Sequence, residues 1–206
     1  PTDAYLRVSG KDGRPLQDGW KSQSPYREGS CSDDLLELRL EERENGHFSI
    51  VGTLIEVKHG IAARHRVDEG KEQIINAHRI LHHRFVEHQG NRIDAGFRQA
   101  ELSRLIAFHG AKLARHGLYG IGKEERRAIR FIRDAASAVQ AGAYSITFTS
   151  SFGTDRAKDI DVNGLVALVD LDSEAKQISR STRASSLSEV VGVLRLPSGF
   201  VRKLLE

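Results

Sequence analysis

Glu44-Asn45-Gly46 separates two apolar, alternating runs, and this juxtaposition constrains the fold more than any other feature of the 206-residue chain. Asn-Gly between such runs is a strong short-range signal for a β-hairpin, because both residues tolerate the positive φ of a tight turn. The stretch LLELRLEE, with Leu35, Leu36, Leu38 and Leu40, therefore reads as one strand. His47 to Lys58, HFSIVGTLIEVK, reads as its partner.

The pattern then changes period. From about Asp68 to Glu87, Ile74, Ile75, His78, Leu81 and Phe85 fall mostly three and four residues apart, which predicts a helix. Leu102, Leu105, Ile106 and Leu113 predict a second helix over Ala100 to His116, with Gly117 as its C-cap. A third is expected from Lys123 to Gln140, with Ile129, Ile132, Ala136 and Val139 inward and Arg126, Arg127, Arg130 and Arg133 outward. Tyr144 to Phe152, Leu165 to Leu171 and Val190 to Leu196 read as strands, followed by a short terminal helix. Residues 1–32 are interrupted by Gly, Ser and Pro and read mostly as loop, with one short strand near Tyr5 to Val8. Two strand groups enclosing a helical block make an α/β protein with a mixed central sheet flanked by helices.

Composition narrows the function classes. No apolar run approaches the roughly 20 residues a membrane helix needs, and no signal peptide opens the sequence. A single cysteine, Cys31, excludes an internal disulfide framework and points to a reducing, cytoplasmic setting. The absence of any Met, the initiator included, suggests a piece of a larger polypeptide. The net charge of +3 hides a strong asymmetry. Glu28 to Gly46 holds seven acids and two bases, whereas Lys58 to Arg133 holds sixteen bases and eight acids. A basic surface of that size suits a polyanion, since Lys and Arg contacts to phosphates supply most non-specific nucleic-acid affinity.

The chemistry-bearing constellation lies on the hairpin. Asp34 heads the first strand, and Glu56-Val57-Lys58 ends the second. Strand alternation puts Glu56 and Lys58 on one face. Two carboxylates can hold a hard divalent cation while leaving room for water and a phosphate. An ammonium beside them can orient the attacking water and stabilise developing charge.

An Asp before a hairpin strand and an acid-x-Lys triplet ending the next resembles the PD-(D/E)XK nuclease superfamily, the restriction-endonuclease-like fold. The resemblance implies Asp34 and Glu56 as metal ligands for Mg2+ or Mn2+ and Lys58 as the residue assisting attack. Gln73, in EQIINAH, matches a Gln that the RecB-like branch carries on the following helix. The similarity covers roughly Ser32 to Phe85 and the later strand at Tyr144. It implies one nuclease-like domain over 1–206, with a core of about 32–88 and 143–196 and a helical elaboration of about 90–142. DNA is the implied partner, its backbone held by Arg64, Arg66, Lys71, Arg79, Arg126, Arg127 and Arg130. The runs DDLLELRL, IEVKHG, EQIINAHRIL and RQAELSRLIAFHGAKLARHGL look like the nuclease-like terminal domain of large bacterial anti-phage ATPases related to DNA translocases. That similarity implies an ATPase or translocase region as a further partner. A DNA-binding or assembly module with a vestigial site is the alternative outcome.

Other motifs compete. Gly117 to Lys123 nearly spells a phosphate-binding P-loop, but Glu124 replaces the hydroxyl residue and a helix precedes it, so a helix–helix connection is expected. Asp159, Asp161, Asn163, Gly164 and Asp170 have calcium-loop spacing, and the same residues read as a hairpin turn at Asn163-Gly164. His78 and His82, one helical turn apart with His83 and His88 nearby, could begin a zinc site or lie on a basic helix facing DNA. Trp20 and Tyr26 could stack on bases or pack over the sheet.

Overall fold

The computed structural model describes residues 35–60, 63–87, 92–117, 122–155, 159–171, 173–175 and 177–205. Asp34, Cys31, Trp20, Tyr26 and the expected N-terminal loop lie outside them. The chain is mixed α/β, and the described residues form four α-helices and a sheet containing both parallel and antiparallel pairs. It divides into two compact units whose boundary falls within the first two strands. No described helix is long and apolar enough to cross a membrane.

The first unit takes in Gly52–His82 and Phe148–Glu206. Here the end of β2 (Phe48–Gly60) runs parallel to β6 (Leu165–Asp170), with Ile55 opposite Leu165 and Gly60 opposite Asp170. Strand β6 pairs in parallel with β8 (Glu189–Pro197), which pairs antiparallel with β7 (Ser179–Ser186). Two short strands, β4 (Ser150–Phe152) and β5 (Ile160–Val162), form a separate antiparallel ribbon. Helix α1 (Ala63–His82) packs on β6 and β8. Val67 of the helix meets Leu168 and Val193 of the strands in a fully buried cluster.

Glycine makes that packing close. An added Cβ at Gly70 would stand 3.1 Å from Val166 and 3.4 Å from the Glu56 stem, so the helix backbone lies almost on the sheet. At Gly164 the same atom would meet Ile74 at 2.6 Å and the Leu54 carbonyl oxygen at 2.8 Å.

The second unit comprises Arg39–Val51 and His83–Thr147. Strands β1 (Leu35–Glu42) and β2 are joined by a connection too short for a crossover, so they pair antiparallel. Asn45 (φ 59°) and Gly46 (φ 70°) supply the expected turn geometry, and the Arg43 N–H closes it on the His47 carbonyl at 2.7 Å. The start of β2 pairs in parallel with β3 (Tyr144–Thr147). Helices α2 (Arg92–Arg115) and α3 (Lys123–Gln140) pack together, with Gly110 against Ile132. Helix α3 ends in a Schellman motif. Gly142, at φ 78°, donates to the Val139 carbonyl (3.0 Å), and Ala143 donates to that of Ala138 (2.8 Å). The terminal helix α4 (Ser198–Leu205) follows β8 in the first unit.

Several expectations shift. Helix α1 begins at Ala63 rather than Asp68, because its first turn is polar and carries no apolar period; it continues through a π-helical turn at His83–Glu87. Helix α2 begins at Arg92 rather than Ala100, and Phe97 there is mostly exposed, so periodicity could not reveal that turn. Ile129 is 45% exposed, because the inward stripe of α3 is Ile132, Ala135, Ala136 and Val139, and Leu113 on α2 is 39% exposed. The expected strand Tyr144 to Phe152 breaks at Phe148, whose ring is buried over Gly52. Strand β7, SRSTRASS, was hidden by its polarity; it is an exposed edge with little to bury.

Gly164→Ala should destabilise the protein by about 2–3 kcal/mol, because its Cβ collides with a backbone oxygen that cannot rotate away. Gly46→Ala, with open space around it, should cost only about 1 kcal/mol of left-handed strain. Urea unfolding midpoints of the two variants test this ordering.

Candidate active site at the end of strand β2

Along β2, Leu54, Glu56 and Lys58 share one face by strand alternation. Leu54 is fully buried, and Glu56, only 3% exposed, continues the same stripe. A carboxylate at a core-facing position costs several kcal/mol unless it is paired. Lys58, the next residue on that face, supplies the partner: its Nζ lies 2.7 Å from Glu56 Oε1. Helix α1 completes the arrangement by bringing Glu69 Oε1 to 3.6 Å from the same Nζ. The Lys58 side chain is 13% exposed, so the ammonium sits in a partly dried setting between two carboxylates.

Glu69 was absent from the sequence reading, although one signal was available: it stands one helical turn before Gln73, on the same face. Gln73 Oε1 is buried and has no hydrogen-bond partner among the described residues. Asp34, the expected second metal ligand, lies outside them. Among the described residues no group of three or more His, Cys, Asp and Glu side chains is placed to hold a metal ion. Glu56 and Glu69 both approach Lys58 Nζ, so the cation shown between them is the ammonium.

The residues expected to hold a polyanion fall into two groups. In the first unit, Arg66 pairs with Glu69 at 3.5 Å, and Arg79 pairs with Glu189. Lys71 is half-buried on α1, and the side chain of Arg64 lies outside the description. In the second unit, Arg126, Arg127 and Arg130 are exposed on α3, and none has an ion-pair partner among the described residues.

The competing motifs resolve into structure. Asp159 to Asp170 is mostly strand, β5 followed by β6, and so does not wrap a single cation. Nor is Asn163-Gly164 a hairpin turn, since β5 pairs with β4 while β6 pairs with β2 and β8. Asn163 instead docks on the start of β8. Its N–H donates to the Val190 carbonyl (2.7 Å), and its Oδ1 accepts from the Val190 N–H (2.8 Å). Of the segment Gly117 to Lys123, Gly117 follows α2 and Lys123 opens α3, and 118–121 lie outside the described residues.

His78 is tied to the same point. The Asn163 amide donates to the unprotonated His78 Nε2 at 3.2 Å, and the His78 and His82 rings stack at 5.8 Å. Burial pushes the His78 pKa down to about 4, helped by His82 and Arg79 and opposed by Glu189. A histidine held neutral in the fold but free to protonate when unfolded stabilises the fold above pH 6.5, and that contribution is lost as pH falls towards 4. The ceiling is about 3 kcal/mol. His78→Gln should flatten the difference between urea-derived stabilities at pH 7 and pH 4.5; an unchanged pH dependence in the variant would contradict the assignment.

No protein-family model, no curated protein and no solved structure matches the chain.

Proposed function

We propose that this chain is a metal-dependent nuclease domain that hydrolyses phosphodiester bonds in DNA. The observation that carries the reading is the Glu56–Lys58 pair at the end of β2, an acid and an ammonium 2.7 Å apart on one strand face. Asp34 and Glu56 would hold Mg2+ or Mn2+, which supplies Lewis-acid activation of water and phosphate when bound. Lys58 has three N–H donors. One is taken by Glu56 Oε1, and the others can hold the attacking water or a non-bridging phosphate oxygen, where positive charge favours the transition state. Gln73, with its buried carbonyl oxygen, is the candidate for orienting Lys58 or the phosphate. The exposed arginines of α3 supply backbone contacts without base readout. A role in bacterial anti-phage defence, beside an ATPase or translocase region, extends the proposal on sequence resemblance alone.

A second reading has its own support. Lys58 is already held between Glu56 and Glu69, an arrangement that also serves as a structural tie between β2 and α1. On that reading the chain is a DNA-binding or assembly module without catalysis.

Supercoiled plasmid incubated with Mg2+ or Mn2+ separates the two. Cleavage by the wild type should fall about 10²–10³-fold in Glu56→Gln, which keeps the side-chain shape, and in Asp34→Ala. Equal nicking by wild type and both variants, or salt-sensitive binding with no metal-dependent cleavage, would favour the module. Lys58→Ala tests the tie itself: removing the ammonium beside the buried Glu56 carboxylate should cost about 3 kcal/mol in stability.

A further inference from the structure

The second unit contains a small polar cavity of about 120 Å³ between the π-helical turn, α2 and the start of β3, lined in part by Arg84, Arg98, Gln99, Gly142 and Tyr144. No carboxylate among the described residues lines it. At ~30 Å³ per water it has room for about four water molecules, the size of a tetrahedral oxyanion and its four oxygens.

The two arginines differ. Arg84 is bound in a fork to Glu101, with Nε and Nη2 contacts of 2.7–3.0 Å, which neutralises its charge. Arg98 uses one Nη1 donor on the Arg84 carbonyl at 2.8 Å and has no carboxylate partner among the described residues. A half-buried guanidinium without a counter-ion is costly to keep, and it has N–H donors to spare. Tyr144 is 8% exposed, and its hydroxyl has no hydrogen-bond partner among the described residues. Burial pushes the Tyr144 phenol up, although Arg98 opposes this, so the group remains an O–H donor at neutral pH. The Gln99 side-chain amide, 3.2 Å from where a Cβ on Gly142 would lie, is held against the cavity wall by the absence of that atom. The nearby end of α3 would repel an anion through its carbonyls, but the Schellman bonds of Gly142 and Ala143 already occupy two of them. A cation, a phenolic O–H and an amide thus line one cavity that has no carboxylate among its described lining.

We infer that this cavity is a binding site for a phosphate monoester dianion, with Arg98 as the charged anchor and Tyr144 and Gln99 as neutral donors. The phosphate could be free or could be the terminal phosphate of a nucleic-acid strand; the chemistry of recognition is the same. The inference stands apart from the Glu56–Lys58 reading, because binding here needs neither a metal nor cleavage.

Two measurements on the full chain, both in metal-free buffer, test it. Calorimetric titration with inorganic phosphate should show saturable binding that weakens about tenfold or more in Arg98→Gln, and less in Tyr144→Phe, since charged hydrogen bonds exceed neutral ones. Anisotropy with a 5′-phosphorylated oligonucleotide and its 5′-hydroxyl counterpart assigns the source. A preference for the phosphorylated strand that both substitutions reduce identifies a strand terminus, and phosphate binding without such a preference identifies the free anion. Tyr144→Phe keeps the buried ring, so it decides the matter if Arg98→Gln does not fold. Binding of neither ligand, or binding that both folded variants retain, overturns the assignment.

Discussion

Helix α1 lies so close to its sheet that the sheet must present either small groups or charges that find partners beneath it. Gly70 and Gly164 provide the close approach, and Val67, Ile74 and Leu81 provide the buried area. Glu56 breaks the apolar stripe at the one point where the helix crosses without a side chain, its stem 3.4 Å from the missing Cβ of Gly70. An alanine at position 70 would press on that stem and on Val166 together. The ion pair with Lys58 and the glycine above it are therefore one design: the helix cannot cover an acid it cannot also accommodate. A carboxylate kept at such a position, where Leu or Val would pack at no electrostatic cost, marks this end of β2 as the place to look for chemistry.

The same logic of backbone groups finding partners organises the rest of the first unit. The chain leaves the β4–β5 ribbon and enters the main sheet at Asn163, whose side chain and backbone pair with Val190 much as a strand neighbour would. His78 of α1 accepts from that asparagine, so one helix, one crossover and the start of β8 share a single hydrogen-bonded junction. Arg79 and Glu189 pair at the next residues along α1 and β8.

Legibility in the sequence followed burial. The Asn45-Gly46 turn was readable because positive φ has few residue solutions, and α3 was readable from Lys123 to Gln140 because its apolar stripe is regular. The first turns of α1 and α2 were not, since no regular apolar stripe runs through them and His65, Arg66, Asp94 and Phe97 are exposed. Strand β7 has the composition of a loop and is a strand because β8 offers it a ladder. For the site, alternation correctly put Glu56 and Lys58 on one face, but Glu69 arrives through the third dimension, from a helix whose register on the sheet is set by glycines. The Arg98–Tyr144 cavity was invisible for a like reason: its residues lie 46 positions apart in the numbering, on elements joined only by folding.

The positive surplus between Lys58 and Arg133 also changes meaning once partners are assigned. Lys58, Arg66, Arg79 and Arg84 are paired with Glu56, Glu69, Glu189 and Glu101, and of these Arg79–Glu189 and Arg84–Glu101 join different elements. Arg133 has only a loose, exposed approach to Asp134 at 3.9 Å, a contact of little energetic worth in water. Arg126, Arg127 and Arg130 on α3 and Arg98 on α2 have no carboxylate partner among the described residues. A cation that already neutralises an internal acid is not free to replace the counterions condensed on a polyanion, whereas an unpaired one is. On the proposed reading, a polyanion would therefore be met by cations of this kind, the α3 arginines and Arg98 among them, rather than by every base of the basic sequence.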